Sequence, residues 1–367
     1  MRYFLCVFVA VLAVSRLASQ EPKLVVRTGH GDAISCLALS PDGNRLATGH
    51  YDRRGIGTRL RIWDTPGARP MRSLLEGALV RSVAFSADGK QIVTSGQTVD
   101  VWDAASEKRL YAGPEELKGE EIHAPRSASL SGNGKFVVAV SKDGARVWEL
   151  ASGKVVGPYG GQVSAAALSG DGKLVIWADA RSVMIVDWAA DKVIHKLQHA
   201  ERVTCLCLSA DDKWLVTGSS NNAVRLWDMA SGKEVRDFGG HQDDVDGKIN
   251  RKHGRRDKGI ISVALSRDAQ WLVTAGCDNM VIIWDRENRK VVHRIDSFKY
   301  PLFATALSAD GKWLITAEGE EGRYDAANNG DVSFLLWQVG NEVHPVSQFR
   351  DGHYQPGLLR KYLEQDP

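Results

Sequence analysis

The chain has almost no net charge. Its 367 residues hold 47 lysines and arginines against 45 aspartates and glutamates. Both surplus cations, Arg2 and Arg16, lie in the first twenty residues, so the remainder is close to neutral. Bulk charge therefore gives no argument for nucleic acid or a membrane surface as partner. Cysteine is scarce, with five in all, and no CxxC metal spacing occurs. Cys205 and Cys207 stand two apart on one expected strand, a poor geometry for bridging each other. With Cys36 and Cys277 they read as buried thiols. There is no GxSxG, HExxH or P-loop motif. His50, His123, His195, His293, His344 and His353 are scattered without ligand spacing and read as surface or packing histidines. No cofactor or metal is expected.

Long apolar runs are missing too, save one. "MRYFLCVFVAVLAVSRLASQ" places Arg2 before an apolar run from Tyr3 to Val14, with small Ala18 and Ser19 after it. That order is that of a secretory signal peptide, residues 1–20, and the run is short for a bilayer span. The expectation is an exported protein (periplasmic, cell-surface or secreted), membrane-anchored if the segment stays uncleaved.

What the sequence does have is repetition. "LALSPDG" ends at Gly43, "VAFSADG" at Gly89, "ASLSGNG" at Gly134 and "AALSGDG" at Gly172. "LCLSADD" ends at Asp212, "VALSRDA" at Ala269 and "TALSADG" at Gly311. Each is an alternating apolar run closed by a turn signature. A second phrase follows: "LRIWD" to Asp64, "VDVWD" to Asp103, "ARVWE" to Glu149, "VRLWD" to Asp228, "VIIWD" to Asp285 and "FLLWQ" to Gln338. The fourth copy, "VMIVD" to Asp187, has Val186 where Trp is expected and Trp188 displaced. Seven copies of strand, turn, strand, loop, strand, turn, strand recur with a period of about 40 to 57 residues and no helical period.

These residues resemble the WD-repeat (G-protein-beta-like) propeller family over about Lys23 to Val346, and the N-terminus marks an exported, bacterial-type member. The resemblance implies an all-β fold, a seven-bladed β-propeller of four-stranded antiparallel blades. The domain is expected over 21–350, with blades near 30–75, 76–113, 114–156, 157–197, 198–238, 239–294 and 295–349. A tail, 351–367, follows. Strand 23–28 is expected to complete blade 7, with Asn341 to Phe349 as the competing outer strand. The family's blades are tied by a buried chain from His to Ser/Thr to Asp to Trp. Carried over, it falls on His241, Thr274, Asp278 and Trp284 in full. It falls in part on His199, Thr217, Asn221 and Trp227; on His30, Thr48 and Trp63; and on Thr316, Asp331 and Trp337. Blades 2, 3 and 4 lack the His. Recurrence at one repeat position makes these residues structural rather than catalytic.

The repeats differ in loop length. From the phrase Ser to the Trp position most copies need 16 to 18 residues, but Ser40 to Trp63 takes 23 and Ser308 to Trp337 takes 29. From the Asp position to the next Ser, ordinary copies need about 20 to 23, whereas Asp103 to Ser131 takes 28 and Asp228 to Ser266 takes 38. In the family's topology every excess lies on the top face, and three of the four adjoin blades 6, 7 and 1. The candidate partner site is therefore Arg53 and Arg54; Lys248, Arg251, Lys252, Arg255 and Arg256; and Glu320, Glu321, Arg323 and Tyr324. Neutral loop drift is the plain alternative.

Asp244, Asp246 and Gly247 hint at a calcium loop, but the frame puts Gln242 at position 1 and His253 at position 12, both wrong. The basic run has no interleaved aromatics for stacking bases. It reads as a solvated loop, as an anionic-ligand site, or as a partner for Glu318, Glu320 and Glu321. The sequence points to a non-catalytic, monomeric scaffold for an unidentified protein partner, with no nucleic acid expected. The rival is a propeller enzyme or small-ligand binder using the top channel mouth.

Overall fold

Alternating apolar residues between turn signatures make strands, and the computed structural model is built of strands. It describes residues 5–13, 33–51, 60–64, 69–73, 80–96, 98–106, 108–113, 127–141, 143–161, 163–239, 241, 259–278, 280–295, 302–307, 313–321, 336–339 and 342–345. β1 is Leu5–Ala13. Blade 1 is β2 (Ala33–Leu39), β3 (Arg45–Tyr51), β4 (Leu60–Asp64) and β5 (Arg69–Ser73). Blade 2 is β6 (Val80–Phe85), β7 (Gln91–Gly96), β8 (Val99–Asp103) and β9 (Arg109–Ala112). Blade 3 is β10 (Ser127–Leu130), β11 (Phe136–Ser141), β12 (Gly144–Glu149) and β13 (Val155–Tyr159). Blade 4 is β14 (Val163–Leu168), β15 (Leu174–Asp179), β16 (Ser182–Asp187) and β17 (Lys192–Gln198). Blade 5 is β18 (Val203–Leu208), β19 (Trp214–Ser219), β20 (Val224–Asp228) and β21 (Glu234–Asp237). Blade 6 is β22 (Ile260–Leu265), β23 (Trp271–Gly276), β24 (Val281–Asp285) and β25 (Lys290–Ile295). β26 (Leu302–Leu307), β27 (Trp313–Glu321), β28 (Leu336–Val339) and β29 (Glu342–Pro345) follow.

The propeller has six four-stranded blades, not the seven expected. The seventh copy does not assemble its four strands into one sheet. Its β26 and β27 form a three-stranded sheet with β1, in the order β1-β27-β26. Among the described residues its "LWQV" strand, β28, pairs only with β29. The reason is competition for an open edge. β27 offers a row of unpaired N–H and C=O groups, and any strand of matching length and β propensity can take it. β1 pairs with β27 antiparallel over nine residues, from Leu5 opposite Glu321 to Ala13 opposite Trp313. This closing sheet lies between blades 6 and 1, with β26 against both β22 and β2. The segment 23–28, expected to clasp the ring, lies outside the described residues, as do 14–22 and the tail 351–367.

In each blade the turn between the first and second strands is built by its Ser-x-Asp phrase. Ser40 Oγ donates to Asp42 at 2.5 Å, Ser86 to Asp88 at 2.7 Å, Ser169 to Asp171 at 2.7 Å, Ser209 to Asp211 at 2.6 Å and Ser266 to Asp268 at 2.5 Å. In blade 3 Asn133 replaces the carboxylate and accepts from Ser131 at 2.7 Å. The same hydroxyls accept from the amide opening the next strand, as with Arg45 and Trp271 at 2.9 and 3.0 Å. The fourth turn residue is left-handed, with φ 70° at Gly43 but 58° at Asp212 and 52° at Ala269. A side chain is strained there, so the last two copies carry a cost that glycine avoids. Asp212 uses its side chain: its carboxylate oxygens accept from Gly170 N at 2.9 and 2.7 Å, tying blade 5 to blade 4.

The core lies between blades. One cluster joins Leu60 and Ile62 of blade 1 to Val80, Ile92 and Trp102 of blade 2. Others join blades 2 and 3, 3 and 4, 4 and 5, and 5 and 6. Ile92, Ile176, Leu215 and Leu272 are fully buried, and each such side chain contributes about 1.5–3 kcal/mol through burial. Fourth strands face water, exposing Leu110, Val155, Val193, Val235 and Val291. Charged neighbours such as Lys192 and Lys290 flank them, which discourages edge-to-edge pairing. Among the described residues no disulfide joins Cys36, Cys205, Cys207 or Cys277, and burial pushes the Cys205 thiol up to about 12.

Candidate functional site

The polar residues inside the blades are expected to be structural. In blade 6 all four meet. His241 Nδ1 is 2.9 Å from each carboxylate oxygen of Asp278, and Nε2 is 2.8 Å from Thr274 Oγ1. Trp284 Nε1 donates to the same Thr274 oxygen at 3.0 Å. With Nδ1 donating to Asp278 and Nε2 accepting from the Thr274 hydroxyl, every group is satisfied. Thr, His and Asp in a row match the order of a catalytic relay. Thr274 Oγ1 nevertheless cannot act as a nucleophile. The residue is fully buried and its oxygen already takes the Trp284 N–H.

Blade 5 repeats the line with one break. His199 Nε2 is 2.8 Å from Thr217 Oγ1, and Trp227 Nε1 donates to that oxygen at 3.0 Å. Asn221 does not reach the histidine; its Oδ1 accepts from Ser219 Oγ at 2.6 Å. His199 Nδ1 is left buried without a partner. Burial, with Arg225 nearby, depresses the His199 pKa to about 4. Blade 1 keeps Trp63 Nε1 on Thr48 Oγ1 at 2.8 Å, while its His30 lies outside the described residues. Blade 2 keeps the same link without a histidine, from Trp102 to Thr94 at 3.1 Å.

Blades 3 and 4 lose the link. Ala139 stands where the threonine stands elsewhere, and Trp148 Nε1 is buried without a partner. In blade 4 Trp177 takes the threonine position and Val186 the tryptophan position. Trp177 stacks on Tyr159 at 5.1 Å, and its Nε1 finds no acceptor. The displaced Trp188 instead donates to Gly172 O at 2.7 Å. Thr316 and Trp337 are on strands of different sheets, β27 and β28, and Asp331 lies outside the described residues.

Of the candidate partner residues, Glu320 and Glu321 lie on β27, opposite Cys6 and Leu5. Arg53, Arg54, Lys248, Arg251, Lys252, Arg255, Arg256, Arg323 and Tyr324 lie outside the described residues. Among the described residues no group of three or more His, Cys, Asp or Glu could hold a metal. No described helix is long and apolar enough to cross a membrane.

The WD domain, G-beta repeat family profile matches residues 22–64, 70–103, 191–228 and 232–285. These four stretches match WD repeats. The matched stretches fall on blades 1, 2, 5 and 6, where the Thr-to-Trp hydrogen bond is intact. The unmatched middle covers blades 3 and 4, where it is lost. Apoptotic protease-activating factor 1 of Rattus norvegicus is 25% identical over 72% of this chain and 21% of its own length. Mitochondrial division protein 1 of Saccharomyces cerevisiae is 24% identical over 60% of this chain and 30% of its own. Nuclear distribution protein nudF of Aspergillus niger is 22% identical over 71% and 52%. The chain thus spans between a fifth and about half of these relatives' own lengths. All three are eukaryotic, which gives the bacterial-type reading no support.

Sequence reasoning passed over a hollow of about 320 Å³ at the outer cleft between blades 5 and 6. Arg236, Phe238, Ile282, Trp284, Arg289 and Arg294 line much of it. No motif marks it, because it joins strands of two repeats. The one available signal was the absence of a charged residue at Ile282, where Arg61, Arg146 and Arg225 stand in other copies.

Proposed function

We propose that this WD-repeat chain is a non-catalytic scaffold for a protein partner, engaged through top-face loops beside blade 6, the closing sheet and blade 1. The observation that carries this reading is the uneven placement of extra sequence. The long loops leave the frame after Tyr51, Asp237 and Glu321, and the residues between are rich in charge. A rigid frame with variable loops at one end is a common way to present a binding surface. The relatives share only a segment with this chain and bear names from different processes, apoptosis, mitochondrial division and nuclear distribution. A common module in unlike proteins suits an interaction platform. The buried relay of blade 6 serves the fold, since its recurrence in blade 5 and its burial leave no reacting atom accessible. The chain is proposed to act outside the cytoplasm, exported with its N-terminal segment left uncleaved, since Leu5–Ala13 of that segment pairs with β27 in the closing sheet. The test is affinity capture of a partner by the full chain, against a chain lacking Asp244 to Asp257 and Arg323 to Asn329. Loss of the captured protein is expected; capture that is unchanged overturns the reading.

A further inference from the structure

The hollow between blades 5 and 6 is lined by cations that have no counter-ion among the described residues. In blade 5 the third-strand Arg225 is neutralised across the sheet, by Glu234 at 3.3 Å and Asp237 at 3.5 Å. In blade 2 the signs are reversed, with Asp100 on the third strand and Arg109 on the fourth, 3.2 Å apart. Blade 6 departs from both. Ile282 holds the third-strand position, and its cross-strand neighbour is Arg294. Among the described residues neither Arg294, Arg289 nor Arg236 meets a carboxylate at ion-pairing distance. Arg236 leans its guanidinium on the Phe238 ring at 5.2 Å and donates to Arg289 O at 3.4 Å. Its Nε is buried with no acceptor, and a buried donor without an acceptor is an expensive omission in a finished core.

Backbone geometry supplies the rest. The ladder between β24 and β25 has a bulge between Ile283 and Trp284, so Trp284 lies opposite Val291 and Ile282 opposite Arg294. Strict alternation would send residues three apart to opposite faces; the bulge brings Val291 and Arg294 to the same one. An apolar floor of Phe238, Ile282 and Trp284 is thereby rimmed by guanidiniums. β25 beside it is the outer strand of its sheet, with Val291 and Val292 exposed. Its outward backbone is an open template for another strand.

We propose that this cleft takes an extended acidic peptide segment of a partner protein. A large apolar side chain fills the hollow, flanking carboxylates meet Arg236, Arg289 and Arg294, and the backbone runs along β25. The apolar floor and the open strand edge favour peptide over nucleic acid, which would need a longer cationic track or aromatic stacking platforms. This site is on the outer rim and does not rest on the top-face loops.

The experiment is fluorescence anisotropy with the full chain. The probe is a fluorescein-labelled peptide with a central leucine flanked by glutamates, compared with its glutamine counterpart. Saturable binding of the glutamate peptide is expected. Arg289→Glu and Arg294→Glu should each weaken it about tenfold or more, while Lys192→Glu and Lys196→Glu on blade 4 leave it unchanged. Thermal unfolding of each variant checks that the fold is intact. Equal binding of the glutamine peptide, equal loss in the blade 4 controls, or no binding overturns the proposal. Tighter binding of a single-stranded oligonucleotide that displaces the peptide would overturn it too. The chain lacking Asp244 to Asp257 and Arg323 to Asn329 should still bind the peptide, so failure here and failure of the top-face reading are separable.

Discussion

Blades 5 and 6 are neighbours with nearly the same residues, yet only blade 6 completes its polar chain. Both place a histidine on a threonine at 2.8 Å and a tryptophan on that threonine at 3.0 Å. The difference is Asn221 against Asp278. The aspartate turns inward and takes the His241 proton donor from both oxygens. The asparagine stays in its own turn, bound to Ser219, and leaves His199 Nδ1 unmatched. One side chain at a turn therefore decides whether a buried imidazole is anchored or merely enclosed.

The largest effect should come from breaking the complete chain. Asp278→Ala should cost about 2–3 kcal/mol, since it strands a buried donor that a charged acceptor had satisfied. Asn221→Ala should cost well under half as much. Urea unfolding of the two variants side by side checks the contrast; equal losses would refute it. Next in size is a repair. Ala139→Thr in blade 3 gives the buried Trp148 Nε1 the acceptor that blades 1, 2, 5 and 6 have, and should stabilise by about 1 kcal/mol. A higher urea midpoint at unchanged slope is the expected readout.

Relief of turn strain comes third. Ala269→Gly should gain a little under about 1 kcal/mol, since Ala269 has a φ of 52° where four sister turns have glycine. Asp212→Gly should gain nothing, because it gives up the contacts to Gly170. Differential scanning calorimetry of both separates strain from contact. The last contrast is in titration. His199 has its pKa depressed to about 4 from an ordinary 6.5. Above pH 6.5 it is neutral folded and unfolded. As pH falls from 6.5 towards 4 the unfolded chain gains a proton that the folded chain refuses, so stability is lost across that window. The lowered turn carboxylates Asp42, Asp88, Asp171 and Asp211 lose their contribution only further down, below 3.8. Asn221→Asp should raise the His199 pKa and shrink the loss between 6.5 and 4, followed by imidazole proton shifts in NMR.

Much of this is legible in the sequence. The Ser-x-Asp turn reads directly, because Ser40, Asp42 and Gly43 act within a few residues of one another. The Trp-Asp strands read for the same reason, and so did the displacement of Trp188. Less visible was what replaced a missing partner. That Trp177 stands in the threonine position of blade 4 depends on register between two strands. The rim arginines were invisible as a group, since Arg236 and Arg294 sit in different repeats and their nearness follows from packing.

The sequence by itself determined the units: strand, turn, strand, loop, with Thr and Trp spaced to meet across one hairpin. These are local relations, set by side-chain alternation and by turns that close over a few residues. Tertiary structure alone decided the count and the closure. Seven phrases yield six full blades, because the last edge strand is chosen by competition among segments distant in the chain. β27 pairs with Leu5–Ala13 rather than with its own repeat's Leu336–Val339. A repeat motif records which strands can form; hydrogen-bonding edges have no memory of sequence order, and the partner that fills them is settled only when the ring packs shut.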